Sequence, residues 1–310
     1  MDKKTLKIII AVVISALLLL ILLPDRQIMV TVNKGESAAS VASQLQKKRI
    51  ILSKSVFLAL VKITGSSNEI KAGNYKFGYK DNSLSVLAKL RNGQGIAVKF
   101  TVPEGSSVKQ TAEIIAASGI NIDVEKFIKI ANQKKVEGYL MPETYFAEST
   151  TSEEALINMM RKEFDKKVTA DMHKRAKELN MTMEKIIVLA SIIEKEAVKA
   201  DERPIISGVF HNRLKKRIRL ESCATVLYAL GKNKPRLSYE DLKVDSPYNT
   251  YKVFGLPPGP ICSPGIASIK AALYPTNTSS LFFVSAGNGG HMFSETLEQH
   301  NRNKNATRNK

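Results

Sequence analysis

The chain is organised around residues 183–200, which read MEKIIVLASIIEKEAVKA. Apolar side chains recur along it at i, i+3, i+4, i+7 and i+11, the spacing of one helical face: Ile186, Leu189, Ala190, Ile193 and Ala197. The other side is also largely apolar, at Ile187, Val188 and Ile192. Because a helix that is apolar on most sides is usually buried, this stretch predicts a core helix, with Thr182 as its N-cap.

Two carboxylates, Glu194 and Glu196, lie near the C-terminal end of this helix. At about 100° per residue they point about 200° apart, so they cannot both face one cleft. Ile192 and Ile193 precede Glu196 by four and three residues, and burial beside aliphatic carbon favours the protonated carboxyl that a general acid requires. The alternative is an ordinary helix-end glutamate paired with a neighbouring lysine.

The composition suits a folded body of two or more domains, since 44% of the 310 residues are hydrophobic and 25% are charged. The formal net charge of +18 predicts an acidic partner: nucleic acid, anionic lipid or an anionic polymer. The two cysteines, Cys223 and Cys262, are compatible with a disulfide or with two free thiols.

The N-terminal sequence indicates which of these acidic partners to expect. Lysines precede a run at residues 8–23 that is apolar except for Ser15, near the lower limit of the roughly 17–25 residues that cross a bilayer. The positive-inside rule keeps residues 1–7 cytoplasmic, so we expect a single-pass anchor at 8–24 in the inner or plasma membrane and an extracytoplasmic body. A cleaved signal peptide is the alternative, although no small-x-small site follows the run. An exported body argues against nucleic acid, and no RNP or zinc-finger motif is present in the sequence.

Residues 28–94 are predicted to form a small βααβ domain. Residues 28–32 read as a strand, 38–45 and 55–62 as helices, and 72–77 as a returning strand. This order, opened by V-x-V-x-x-G-E-S at 30–37, resembles the LysM glycan-binding module. Such a unit is also simply a small stable fold, so the pattern alone leaves glycan binding open.

The strand–turn–helix pattern recurs later in the chain. Residues 98–107 repeat 28–37 at a constant offset of seventy, including Gly35/Gly105 and Ser37/Ser107, through duplication or convergence. We place the domain boundary near residues 94–95 and predict a mixed α/β domain at 95–301 and a disordered basic tail at 302–310. The predicted fold class is therefore α+β behind a transmembrane helix.

Two loops have compositions that are common at sugar sites. Residues 136–145, VEGYLMPETY, combine Tyr139 and Glu143 with turn residues. Residues 245–251, DSPYNTY, lead into GLPPGP at 255–260, where proline and glycine fix the backbone. A rigid loop of this length inside a compact domain is more often functional, although these residues are also ordinary turn chemistry.

Six stretches occur together and in one order. They are EGYLMPETY (137–145), LASIIEKEA (189–197), FHNRL (210–214), YNTY (248–251), GLPPGPICSPG (255–265) and GGHMFSETLEQHN (289–301). With the N-terminal apolar run and the LysM-like unit, the chain resembles the endolytic murein transglycosylase (YceG-like) family of bacterial membrane-anchored enzymes over nearly its whole length.

The resemblance implies cleavage of the β-1,4 bond between N-acetylmuramic acid and N-acetylglucosamine without water, cofactor or metal. The muramic C6 hydroxyl attacks its own C1 and leaves a 1,6-anhydro end, and one glutamate can serve as acid and then as base. The family's catalytic residue corresponds to the second glutamate of the EKE triplet, Glu196. Weaker candidates for sugar contacts are Tyr139, Glu143, Asn249, Tyr251 and His291.

Two departures from the family pattern concern the residues that support Glu196. Many members carry Ser or Thr where this chain has Ala197, and S-D-P-T where it reads SCAT at 222–225. The first change removes a hydroxyl that could orient the acid, and the second removes a candidate carboxylate.

We therefore expect a membrane-anchored lytic transglycosylase that acts on glycan strands near the membrane. Its expected partners are those strands, membrane lipid, and peptidoglycan synthases or penicillin-binding proteins. One alternative is a hydrolytic muramidase that uses Glu143, Glu221 or Asp245 as a second carboxylate. Another is a non-catalytic peptidoglycan-binding scaffold.

Overall fold

The computed structural model describes residues 27–308 except 34, 79, 94, 96, 233, 235 and 236. The predicted cytoplasmic segment 1–7 and anchor 8–24 lie outside these residues. Within the described part, no helix is both long and apolar enough to cross a bilayer. The described chain forms two compact units: one runs to Val98 and includes Glu148–Thr150, and the other comprises Lys99–Ala147 and continues from Thr151.

The first unit contains the predicted strand–helix–helix–strand order. β1 (Ile28–Val32) pairs antiparallel with β2 (Gly73–Phe77), with Ile28 opposite Phe77. Between them lie α1 (Ala38–Lys47) and α2 (Lys54–Ile63), which are capped by the side chains of Ser37 and Ser53, and α3 (Ser83–Asn92) follows. Alternate strand residues and one face of each helix form its core, which includes Val30, Val32, Val41, Leu45, Phe57, Val61, Tyr75 and Phe77.

The second unit is mostly helical, with small two-stranded sheets, so the α+β class is confirmed. β3 (Ala97–Thr101) pairs with β4 (Thr144–Glu148), and β5 (Phe282–Ser285) pairs antiparallel with β6 (His291–Ser294); the division between the units falls within β3. Its helices are α4 (Val108–Ala117), α5 (Val124–Gln133), α6 (Glu153–Lys167), α7 (Ala170–Glu178), α8 (Met183–Glu196), α9 (Arg203–Lys215), α10 (Cys223–Leu230), α11 (Ile266–Leu273) and α12 (Leu297–Arg308).

The internal repeat is a real structural correspondence. Helices α1 and α4 begin seventy residues apart, after Ser37 and Ser107, each of which caps its helix with its side chain. Gly35 and Gly105 precede them with φ of +79° and +77°, a left-handed conformation that other residues adopt only with strain. The same turn chemistry therefore starts a helix in each unit.

Helix α8 is the centre of the second unit's core, as its sequence predicts. Thr182 caps it by accepting a hydrogen bond from Lys185 N. Nine of the side chains between Met183 and Ile193 are buried. The helix ends at Glu196, however, and not at residue 200. Ala197 is extended, and beyond it Val198 and Lys199 are exposed, so a further turn would bury no apolar surface.

The predicted disordered tail is wrong for the residues that the structure describes, because 302–308 belong to α12. Long-range contacts hold this helix: the His300 ring stacks on Phe282 with centroids 5.3 Å apart, and Asn303 donates to Ser294 Oγ at 2.9 Å. These contacts fix a polar segment that composition alone would leave unfolded.

Candidate active site

Glu196 lies where two helix ends meet, as the last residue of α8 beside the first turn of α10. Its side chain is partly buried. The hydroxyl of Ser222 donates a hydrogen bond to Glu196 Oε1, and the nearby backbone N–H of Ala224 favours the charged form of the same carboxyl. Ser222 occupies the N-cap position of α10 but does not cap it with its side chain, because the hydroxyl is used on Glu196. The positive end of α10 therefore faces this carboxyl.

The surroundings of Glu196 allow its carboxyl both to donate and to accept a proton. Burial raises the pKa of the carboxyl above its ordinary value, and the Ser222 hydrogen bond, the nearby His291 and the Ala224 N–H oppose that shift without cancelling it. A carboxyl that is protonated at higher pH than usual, yet has donors ready for its ionised form, can both give and take a proton.

Glu194 has a different environment, as the angular argument predicts. Its Oε2 accepts a hydrogen bond from Gly265 N at 2.9 Å, its Oε1 lies 3.5 Å from Arg203 Nη2, and its side chain is only 6% exposed. Glu194 thus fastens the end of α8 to the start of α11 and has no part in the Glu196 site. Among the described residues, Glu196 forms no ion pair with Lys195 or Lys199, the alternative that the sequence left open.

A hydroxyl network fixes Ser222. Its backbone N–H donates to Thr250 Oγ1 at 3.0 Å, and Thr250 Oγ1 lies 2.8 Å from Thr225 Oγ1. All three residues are buried. The network ties α10 to the 245–251 loop, so the orientation of the hydroxyl that contacts Glu196 depends on that loop.

Tyr251, a predicted sugar contact, lies at this site. Its hydroxyl is 3.1 Å from Cys223 Sγ, and burial raises its pKa, with Cys223 and the Glu196 charge adding to the shift. The phenol therefore stays protonated and can donate a hydrogen bond.

Asn249 supports Tyr251 and is not placed to touch a sugar. It is fully buried; its amide donates to Leu242 O at 2.9 Å and Val244 O at 2.8 Å, while its Oδ1 accepts from Tyr251 N at 3.0 Å. These contacts use the polar atoms that a substrate would need, which corrects the predicted role.

His291 forms a buried pair with Glu202. Its backbone N–H donates to Glu202 Oε1 at 2.9 Å and its Nδ1 lies 2.7 Å from Glu202 Oε2, with the two side chains 10% and 12% exposed. Phe283 meets the imidazole edge to face at 5.3 Å. Burial alone would raise the pKa of Glu202, but the hydrogen bonds from His291 outweigh it, so the pKa is lowered. Glu202 thus holds the imidazole in one orientation near Glu196.

The contacts of Tyr139 and Glu143 are with residues other than Glu196. Tyr139 packs edge to face on Phe164, and the Arg161 guanidinium lies 4.7 Å from the centre of its ring. Glu143 pairs with Lys167, and this interaction lowers its pKa. The 136–145 loop therefore contributes to the core and to a surface ion pair.

The two ends of the Pro/Gly loop at 255–260 have different neighbours. Residues 255–258 line a cavity of about 790 Å³ along the N-terminal half of α8, together with Glu184, Val188 and His211. Glu196 does not line this cavity. Gly259 instead approaches the Tyr248 hydroxyl so closely that an added Cβ would lie 2.9 Å from it.

Sequence reasoning missed two functional candidates. Ser222 is visible in the SCAT stretch, but there it reads as a helix cap beside a lost carboxylate. Glu202 pairs with a residue 89 positions away and has no local signal.

Three comparisons with known proteins identify the relatives of this chain. Residues 30–306 match the model of the YceG-like family. The chain is 37% identical over 304 residues to the endolytic murein transglycosylase of Bacillus subtilis, covering 89% of this chain and 83% of that protein. It is 28% identical over 320 residues to the endolytic murein transglycosylase of Streptococcus pneumoniae serotype 2, covering 90% of this chain and 58% of that protein.

The fold is also found in a solved structure. A 2.6 Å crystal structure of a YceG-like protein from Listeria monocytogenes superposes with a TM-score of 0.62 at 36% identity, covering 89% of this chain and 98% of that one. Since the family model matches residues 30–306, most of the chain, the chain belongs to the YceG-like family.

Proposed function

We propose that this protein is an endolytic peptidoglycan lytic transglycosylase with Glu196 as its single acid and base. The observation that carries the proposal is one partly buried carboxyl with a raised pKa and donors aimed at it. The names of two relatives, both endolytic murein transglycosylases, supply the substrate class.

The reaction proceeds in two proton transfers. Protonated Glu196 gives its proton to the glycosidic oxygen as the bond from muramic C1 to that oxygen breaks, and positive charge develops at C1. The ionised carboxyl is stabilised by the Ser222 hydroxyl and the first turn of α10. It then takes the proton of the muramic C6 hydroxyl as that oxygen bonds to C1. Glu196 ends protonated, no water is consumed, and a 1,6-anhydro end remains.

The surroundings of the other carboxylates support this mechanism over a hydrolytic muramidase. Hydrolysis by two carboxylates needs a second one about 5–9.5 Å from the acid. Glu221 is paired with Arg213 at 3.1 Å, Glu143 with Lys167, and Asp245 is fully exposed. Glu202 is committed to His291.

The chain's N-terminal sequence supports a single-pass anchor in the cell membrane at 8–24, with the N-terminus cytoplasmic and both described units outside. The first unit, with its βααβ order, is proposed as a LysM-like glycan-binding domain. The net charge of +18 suits glycan strands whose lactyl and peptide groups carry carboxylates, and an anionic membrane beside them. Peptidoglycan synthases or penicillin-binding proteins are the proposed protein partners, since they make the strands that this enzyme would cut.

Product analysis tests the reaction. Purified sacculi incubated with the full-length protein should release fragments that end in 1,6-anhydro-muramic acid. A muramidase would give reducing ends one water heavier by mass spectrometry, and a non-catalytic scaffold would bind sacculi without changing the length of the glycan strands. Either result would overturn the proposal.

A further inference from the structure

Helix α2 of the first unit has two apolar faces. Phe57 and Val61 point into the core and are buried, whereas Val56 and Ile63 are 63% and 83% exposed. Such a second apolar face on a short helix is unusual unless something covers it.

The exposed face is one wall of an open groove. Val56, Ala59, Leu60 and Ile63 of α2 line it, and Leu84 in the first turn of α3, 63% exposed, lies opposite. We call these five residues the α2–α3 groove. Its side chains are aliphatic, with no aromatic ring for a sugar face, and Asn82 beside it already accepts hydrogen bonds from Leu84 N and Ser85 N. The groove therefore suits hydrocarbon better than a glycan.

The surroundings of the groove are cationic. Residues 37–68 contain no Asp or Glu and five basic residues: Lys47, Lys48, Arg49, Lys54 and Lys62. Residues 27–98 as a whole carry eleven Lys or Arg against three Asp or Glu, a net charge of +8. Asp81, next to the groove in sequence, is paired with Lys89 at 2.7 Å. An anionic surface complements this charge, whereas a second copy of the unit would be repelled.

The chain reaches the unit at the same end as the groove. Ile28, where β1 begins, is opposite Phe77. From Phe77 a tight turn, closed by a 3.1 Å hydrogen bond from Asp81 N to Gly78 O, leads to the first turn of α3. The apolar run ends at residue 23 and β1 begins at residue 28, so five residue steps, at most about 18 Å, separate them.

We propose that the α2–α3 groove is a membrane-contact surface that inserts its aliphatic side chains among the headgroups and upper acyl chains of an anionic bilayer. Helix α2 lies in the interface plane, and its flanking lysines contact lipid phosphates. The proposal rests on the membrane anchoring proposed above and is independent of the transglycosylase reaction. It predicts that the first unit lies on the bilayer that anchors the chain.

The absence of tryptophan from the sequence gives a clean test. Ile63→Trp places one indole in the groove, and Leu84→Trp places one on its other wall. Tyr239→Trp is the matched control, since Tyr239 is an aromatic side chain that is 87% exposed and belongs to the second unit, which the proposal does not place on the bilayer. Each full-length variant is reconstituted into vesicles of phosphatidylglycerol and phosphatidylcholine, with and without lipids brominated near the top of the acyl chains.

The indoles at positions 63 and 84 should emit at shorter wavelength than the control indole. Bromine about 5–10 Å below the headgroups should quench about half or more of their emission. The control should lose little, and quenching should weaken in pure phosphatidylcholine. Equal quenching of all three indoles, or none in protein that stays bound to vesicles, would overturn the proposal while leaving the anchor intact. An emission shift of the groove indoles that depends on protein concentration, and not on brominated lipid, would indicate contact with a second copy of the chain. That result would also overturn the proposal. Failure to bind vesicles would overturn the anchor and the groove proposal together.

Discussion

The Ser222 hydroxyl donates a hydrogen bond to Oε1 of Glu196, and this contact joins the ends of two helices at one titrating group. Burial favours the neutral acid, whereas Ser222 and the first turn of α10 favour the carboxylate. The balance matters because the proposed mechanism needs both forms of the same residue in turn.

Removal of the hydroxyl tests this balance. Since the Ser222 hydrogen bond lowers the pKa of Glu196, Ser222→Ala should raise it further. The enzyme needs protonated Glu196 at the start, so activity falls as pH rises through this pKa, and the alkaline limb of the pH profile should move to higher pH. We expect kcat to fall about tenfold, because the carboxylate formed in the first step loses a donor.

The pH profile separates this role from a structural one. A variant that is merely less well folded would lose activity at every pH and keep the limb where the wild type has it. An unmoved alkaline limb in folded Ser222→Ala would contradict the assigned contact.

Asn249 gives a second prediction, on stability. Asn249→Ala leaves two partly buried carbonyls, of Leu242 and Val244, and the Tyr251 N–H without their partner. We expect the free energy of unfolding to fall by about 2–4 kcal/mol, measured with denaturant. Asn249→Asp, which keeps the acceptor for Tyr251 but loses the donors, should also be destabilised. Wild-type stability in both variants would show that the loop does not depend on this side chain.

Glu137 makes stability depend on pH. It accepts hydrogen bonds from Val108 N at 3.2 Å, and the Tyr228 hydroxyl also favours its charged form, yet burial raises its pKa from 4.5 to about 7. Between these values the folded protein keeps a proton that the unfolded chain releases, so the free energy of unfolding falls as pH rises through that window, by about 2–3 kcal/mol.

Glu137→Gln should remove this dependence, because an amide keeps an acceptor for Val108 N without titrating. Denaturant unfolding of both proteins at about pH 5 and about pH 8 measures the difference. Parallel changes in the wild type and the variant across that range would assign the effect to other groups.

The sequence predicts those parts of the fold that depend on interactions between residues close together in the chain. Thr182, Ser37 and Ser107 cap helices where their spacing places them, and the apolar periodicity of 183–197 identifies the central helix. The divergence of Glu194 and Glu196 follows from helical geometry alone, and their separate partners confirm it.

The remaining features depend on contacts between distant parts of the chain. The Glu202–His291 pair joins residues 89 positions apart, and Ser222 reaches Glu196 across 26. Asn249 reads as a polar loop residue, yet the fold turns it inward to hold Tyr251. The polar residues 302–308 become helical because His300 and Asn303 of α12 contact β5 and β6.

Glu196→Gln is the most direct test of the central claim, with Glu194→Gln as the matched control on the same helix. An amide at 196 can neither give nor take the proton, so release of anhydromuramyl ends from sacculi should fall by about a thousandfold or more while thermal unfolding stays cooperative. The amide at 194 can still accept from Gly265 N and should leave most activity intact. Undiminished anhydro product from folded Glu196→Gln would contradict the account.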